Sequence, residues 1–339
     1  MTPRNLGRSG IKVSPICLGT MMFGGPTTEK DSARIIARAK DAGVNFIDTA
    51  DVYTEGRSEE ITGRAIKADR SHWVLATKLA NPTGPGPNDR GLSRLYTMRA
   101  VEASLKRLGT DVIDIYYLHK EDHATPLEET VRAMGDLIRQ GKIRSYGVSN
   151  HRSWRIAEIC NLADRMGIDR PVVSQPYYNA MNRMPEVEHL PACGFYGLGV
   201  VPYSPLARGI LSGKYDPKAP PPEGTRAGRA DSRMMQTEWR KESLVIAQKL
   251  TTPSSPRPSR GRAPWSSSRT ISARRATGSR RPMRLWSTGS FPPATPRHRA
   301  IPTRPIRWRG GWRGAGDHPA SLSPSSRATT RLRPVRFAS

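Results

Sequence analysis

Short apolar runs alternate with amphipathic stretches through the first 250 residues. Runs at Ile16–Thr20, Asn45–Thr49, Trp73–Thr77, Ile113–Leu118, Ser145–Ser149, Val172–Gln175 and Val200–Tyr203 predict seven strands. They read as near-continuous apolar segments, the pattern of strands covered on both faces. Between them the spacing turns helical. Asp31–Ala42 places Ile35, Ile36 and Ala39 on one face, Met98–Leu108 does so with Val101, Leu105 and Leu108, and Leu127–Arg139 with Val131, Met134 and Ile138. Thr97 and Thr125 stand where N-caps are expected, and Gly109, Gly141 and Gly167 stand just past helix ends. Strand and helix in strict alternation imply right-handed crossovers and a parallel sheet. The fold class is therefore α/β, a TIM (β/α)8 barrel lacking its last strand–helix unit. A hairpin over Asn5–Val13, with Gly7 and Gly10 near its turn, is suited to plug the barrel bottom. Asn81–Gly91, rich in Pro, Gly and Asn, reads equally as a substrate loop or an ordinary long connection. A second long loop, Tyr215–Asp231, follows the seventh strand.

After Leu250 the pattern stops. Two domains are expected: a barrel over residues 1–250, and a tail over 251–339 whose Arg, Pro and Ser content predicts disorder. The formal net charge is +26, but the tail alone holds 19 Arg, no Lys and Asp317 as its single acid. The basic balance therefore belongs mainly to the tail, and it is weak evidence for nucleic-acid binding by the body.

Cys17, Cys160 and Cys193 show no metal-ligand spacing, and an odd, sparse count suits a reducing compartment. No signal-peptide pattern or membrane-length apolar run is present in the sequence, so a cytoplasmic location and no membrane partner are expected. Oligomeric state is not encoded in any pattern.

Chemistry gathers at strand ends. In NFIDTADVYTEGRSEEITGRAI (Asn45–Ile66) the second strand closes on Asp48, with Tyr53 five residues later; WVLATKL carries Lys78 at the end of the third strand, and IDIYYLH carries His119 at the end of the fourth. Barrels place their active sites at the carboxyl ends of the strands. Singly, each residue is better explained by a turn, a solvated surface or a satisfied structural position. Together they suit carbonyl reduction: Tyr53 donates a proton, Lys78 stabilises the phenolate, Asp48 holds Lys78, and His119 orients the carbonyl oxygen. A free phenol has a pKa of about 10, and a neighbouring ammonium lowers it.

The runs GTMMFGG, LATK, DIYYLH, GKIRSYGVSN, SQPYYN and VVPYSPLARGILSGKY, in that order with the Asp48–Tyr53 segment, resemble the aldo-keto reductase family, in particular its bacterial long-loop members related to potassium-channel β-subunits. The resemblance covers about residues 1–250. It implies NADPH as cofactor and a small carbonyl compound as substrate. It further implies a nicotinamide site without a GxGxxG turn. Ser149, Asn150 and Gln175 match residues on the carboxamide, and Tyr203 matches the aromatic under the ring. Ser204, Pro205, Leu206 and Gly209 match the pyrophosphate loop, and Lys214 and Arg226 match basic positions near the phosphates. Thr20 and Met21 match a backbone contact, and Asp48 also borders the cofactor.

The family continues beyond this point with a segment resembling GPRT-x-x-Q at the adenine end, which is missing after Leu250. Read from the third base of each codon, Pro282–Pro296 and Arg299–Trp308 can yield DAAVVDRLVPPGHP and GYPDPAYPV, which resemble the family's C-terminus. A frameshift near codon 250 is the expectation, and the nucleotide sequence tests it. Two other readings compete with the reductase. One is a catalytically impaired frameshifted product, left with open strand edges and poor folding. The other is a non-enzymatic nucleotide sensor or nucleic-acid binder, using the tail's Arg together with Trp265, Trp286, Trp308 and Trp312.

Overall fold

The computed structural model describes residues 1–251. The expectations placed on the tail, namely its disorder, its frameshifted strings and its Arg–Trp binding surface, lie outside the described residues.

Strands β1 (Arg4–Asn5) and β2 (Lys12–Val13) pair antiparallel as the predicted hairpin. The seven predicted strands follow as β3 (Cys17–Gly19), β4 (Phe46–Asp48), β5 (Val74–Leu79), β6 (Ile113–Leu118), β7 (Ile143–Ser149), β8 (Val173–Gln175) and β9 (Gly199–Val200). They form one parallel sheet in sequence order, β3 to β9. Within the described residues β3 and β9 are its two edges.

Helices α1 (Glu29–Asp41), α2 (Arg57–Ile66), α3 (Arg94–Leu108), α4 (Leu127–Arg139), α5 (Ser153–Met166) and α6 (His189–Tyr196) intervene between successive strands. Two more, α7 (Ser232–Thr237) and α8 (Lys241–Thr251), follow the sheet. The causes are local. The Thr28 side chain caps α1 by accepting from the Asp31 amide, with acids in its first turn and Arg38 and Lys40 in its last. Gly109 and Gly167 end α3 and α5 in the left-handed conformation.

Strand alternation sorts the core into two layers. Phe46, Ala76, Ile115, Tyr117 and Val173 point inward and pack with Leu6 and Val13 of the hairpin. Ile47, Leu75, Tyr116, Leu118 and Val148 point outward beneath the helices. The hairpin does close the bottom: the Arg8 amide donates to the Gly197 carbonyl at 2.8 Å. Gly7 permits this approach, since a Cβ there would lie 2.5 Å from the Gly197 oxygen. A third apolar cluster, including Ile210, Tyr215, Met234 and Leu244, packs α7 and α8 around the turn that follows β9.

Some boundaries differ from expectation. Thr97 is not an N-cap; it is buried within α3, because Ser93 accepts from the Tyr96 amide and starts the helix earlier. Thr125 donates instead to Asp122, and Pro126 holds the cap position of α4. The last strand stops at Val200 because Pro202 has no amide to donate; Tyr203 rejoins through a bridge to Tyr177. No helix among the described residues is long and apolar enough to cross a membrane. All three cysteines are free.

Candidate active site

The parallel register brings the chemistry-bearing residues to one end of the sheet. Asp48 is the last residue of β4 and lies opposite Ala76, two residues before Lys78 on β5. The His119 amide continues the β5–β6 ladder by donating to the Leu79 carbonyl. Ser149 closes β7 opposite Gln175, which closes β8.

Lys78 is fully buried. Its Nζ donates to Asp48 Oδ2 at 2.5 Å, to the Thr49 carbonyl at 2.7 Å and to the Tyr53 hydroxyl at 3.2 Å. Three acceptors match the three donors of an ammonium. Burial alone would drive the Lys78 pKa down, but the charge of Asp48 and the contacts with Tyr53 outweigh it and raise the pKa above its usual value. The buried cation is thus kept charged by its partners. The other oxygen of Asp48 accepts from Gln175 Nε2 at 3.2 Å.

Tyr53 occupies a tight turn between β4 and α2. Thr54, Glu55 and Gly56 all have positive φ, and the Thr54 hydroxyl fastens the turn to the Phe23 carbonyl. His119 meets the Tyr53 ring edge-on with centroids 5.9 Å apart. Burial, then the cations of Lys78, Arg233 and Lys120, lower the His119 pKa to about 3.

The remaining candidates form a second group. Asn150 donates to the His119 carbonyl at 2.9 Å and accepts from the Tyr203 hydroxyl at 2.9 Å. Ser149 donates to the Gln175 carbonyl. Tyr203 stacks on Tyr177 with centroids 5.4 Å apart. Ser204, Pro205 and Leu206 lead into the 3-10 turn Ala207–Ser212, in which Arg208 and Gly209 have positive φ. The Ser204 carbonyl is held by Asn179. The Lys214 ammonium lies 3.6 Å from the space a Gly209 Cβ would fill. Arg226 makes its contact with Asp231, at 2.9 Å. Thr20 is buried, and its carbonyl accepts from both the Phe23 amide and the Ser58 hydroxyl.

Residues 15–257 match the family model for the aldo/keto reductase family. The chain belongs to the aldo/keto reductase family. It is 44% identical over 226 residues to a probable voltage-gated potassium channel subunit beta of Arabidopsis thaliana, covering 65% of this chain and 69% of that one. An uncharacterized oxidoreductase of Bacillus subtilis is 42% identical over 220 residues, 62% of this chain and 68% of the relative. A versiconal hemiacetal acetate reductase of Aspergillus parasiticus is 36% identical over 249 residues, 66% and 72% respectively. This aldo/keto reductase is accordingly an oxidoreductase of TIM-barrel fold, and β3 to β9 form its curled parallel sheet.

The aldo/keto reductase family uses nicotinamide dinucleotides, and the residues present fit one. Ser149, Asn150 and Gln175 supply hydroxyl and amide groups that bond to one another, and Asn150 joins them to the Tyr203 hydroxyl. The left-handed turn at Arg208–Gly209, kept open by the missing Cβ and overhung by Lys214, suits an anion.

Three features of the site lie outside the residues that the motifs single out. Asn81 Nδ2 lies 3.0 Å from His119 Nδ1. Arg233 of α7, exposed and distant in sequence, points Nη1 at Met21 Sδ across 3.7 Å. Asp51, in the same motif as Asp48 and Tyr53, is buried beside Glu59. Asn81 had a signal, being three residues beyond Lys78 where the chain leaves the sheet; Arg233 had none.

Proposed function

We propose that this aldo/keto reductase reduces an aldehyde or ketone to an alcohol with NADPH, and that Tyr53 is the proton donor. The observation that carries this reading is the buried Lys78 ammonium bonded to both Asp48 and the Tyr53 hydroxyl. When bound, the reduced nicotinamide supplies the hydride. Ser149, Asn150 and Gln175 hold its carboxamide, the free face of Tyr203 supports the ring, and Ser204, Pro205, Leu206, Gly209, Lys214 and Arg226 hold the phosphates. Asp48 borders the same space. With both lone pairs of the Thr20 carbonyl engaged, the backbone contact of that segment falls to Met21.

Tyr53 gives its phenolic proton to the oxygen of the substrate carbonyl as negative charge develops there. The adjacent ammonium stabilises the phenolate that remains. Asp48 neutralises that cation and fixes its position, so the charge is in place before the reaction begins. His119 hydrogen-bonds the same carbonyl oxygen and orients it.

The test is NADPH oxidation followed by absorbance with 4-nitrobenzaldehyde. The wild-type protein should turn over, and Tyr53→Phe should lose roughly 10²-fold or more in kcat while still binding NADPH. Unchanged turnover in Tyr53→Phe would refute the proposal. The similarity to channel β-subunits favours one further reading, a nucleotide-binding subunit. NADPH binding by fluorescence without turnover of any aldehyde would support it.

A further inference from the structure

We infer that Asn81 is a positioning residue: it fixes His119 in the tautomer that carries its proton on Nε2, so that a neutral imidazole donates to the substrate oxygen. The inference rests on the reductase reading for its catalytic consequence, but not for the tautomer itself.

The geometry starts at Ala80. This residue is buried and has φ of +114°, a conformation strained for any L-residue with a side chain. The strain lies two residues after Lys78, where β5 ends, and turns the chain so that Asn81 faces His119. The turn is fastened on both sides. The Gly91 amide donates to the Ala80 carbonyl at 3.0 Å, closing the 81–91 loop on itself. The Tyr96 hydroxyl donates to the Asn81 carbonyl at 3.3 Å.

His119 is equally constrained, its amide donating to Leu79 and its carbonyl accepting from Asn150 Nδ2. Little remains free except the state of the ring, and Asn81 Nδ2 lies 3.0 Å from Nδ1. With the Asn81 amide nitrogen turned toward the ring, Nδ1 is the acceptor and the ring proton resides on Nε2. The opposite tautomer would turn an imidazole lone pair toward the lone pairs of the carbonyl oxygen. The groups facing the ring favour neutrality: burial and the charges of Lys78, Arg233 and Lys120 all disfavour a second proton.

The substitution that inverts the logic is Asn81→Asp. A carboxylate accepts, so it would draw the proton to Nδ1 and favour the imidazolium. Nitrogen–proton correlation NMR of the imidazoles, with His119 assigned by its loss in His119→Asn, reads the tautomer on the resting protein. The wild type should show Nε2 protonated and Nδ1 bare from pH 5 to 8, and Asn81→Asp should show Nδ1 protonated. In turnover, Asn81→Asp should lose roughly 10²-fold in kcat at pH 8, with the NADPH dissociation constant unchanged. Its pH–rate profile should gain a limb between pH 5 and 8. A wild-type His119 protonated on Nδ1 overturns the inference, as does an Asn81→Asp protein with wild-type kcat and pH profile. Because the NMR measurement needs no turnover, loss of the reductase reading and loss of this one are separable.

Discussion

Asp51 should make this protein more stable when it is removed. The residue is 3% exposed, and its carboxyl lies near the Val52 amide and the Tyr96 hydroxyl without a hydrogen bond of good geometry to either. Burial, reinforced by the neighbouring Glu59, raises its pKa from 3.8 to about 8, and the Arg107 cation, the Val52 amide and the Lys78 cation only partly offset this. The folded carboxyl therefore keeps its proton at neutral pH, whereas the unfolded chain releases it. A raised folded-state pKa gives stability that is complete below the unfolded value and is lost as pH rises through the folded one. The loss accumulates from about pH 4 to about pH 8. At about 1.4 kcal/mol per unit over roughly three units, it reaches about 4 kcal/mol near pH 7. Asn is isosteric and uncharged, so Asp51→Asn should recover about 2–4 kcal/mol at pH 8 and about 1 kcal/mol or less at pH 4.5. Urea unfolding at the two pH values measures both. An equal effect at pH 4.5 and 8, or destabilisation at both, would show that Asp51 is ionised and partnered in the folded protein.

Two further substitutions probe the site. Lys78→Met should abolish turnover and cost about 3–5 kcal/mol in urea unfolding, because it strands the buried Asp48 carboxylate; adding Asp48→Asn should restore stability without activity. No stability change in Lys78→Met would contradict the buried ion pair. Arg233 stands exposed against Met21, and its charge acts on His119, so it should favour an anionic substrate. Arg233→Gln should lower kcat/KM for 4-carboxybenzaldehyde by roughly fivefold and leave 4-nitrobenzaldehyde unchanged. An equal fall for both would place Arg233 with the cofactor instead.

The strand order of this barrel is readable from hydrophobic periodicity because its inner strands are covered on both faces. Ile113–Leu118 is apolar except for Asp114 for that reason, with Ile115 and Tyr117 inside and Tyr116 and Leu118 under helices. Helix starts are less legible. Polar Arg94 and exposed Leu95 conceal the first turn of α3, which only the Ser93 cap reveals. The loops after β9 are illegible for another reason: α7 and α8 pack on the Ala207–Ser212 turn, a satellite cluster whose partners are dispersed along the chain and show no period.

The same distinction separates the parts of the site. Asp48, Ser149 and Gln175 end strands and Lys78 lies one residue before the end of β5, so sheet register alone assembles them. Asn81 depends on a backbone conformation that nothing in its own identity announces. An alanine at φ +114° is an unfavourable choice where glycine would relax the chain. The strain lies between Lys78 and the residue that faces His119, and it is held by the Gly91 and Tyr96 contacts rather than by local preference. The least legible backbone position near the site is therefore a place where the fold spends stability on geometry. Asp51, buried without a well-aligned hydrogen bond in the same motif as Asp48 and Tyr53, is a second such place. Both costs fall within three residues of a member of the Asp48–Tyr53–Lys78 set, as expected if the surrounding barrel is what holds that set in a conformation the isolated segments would not choose.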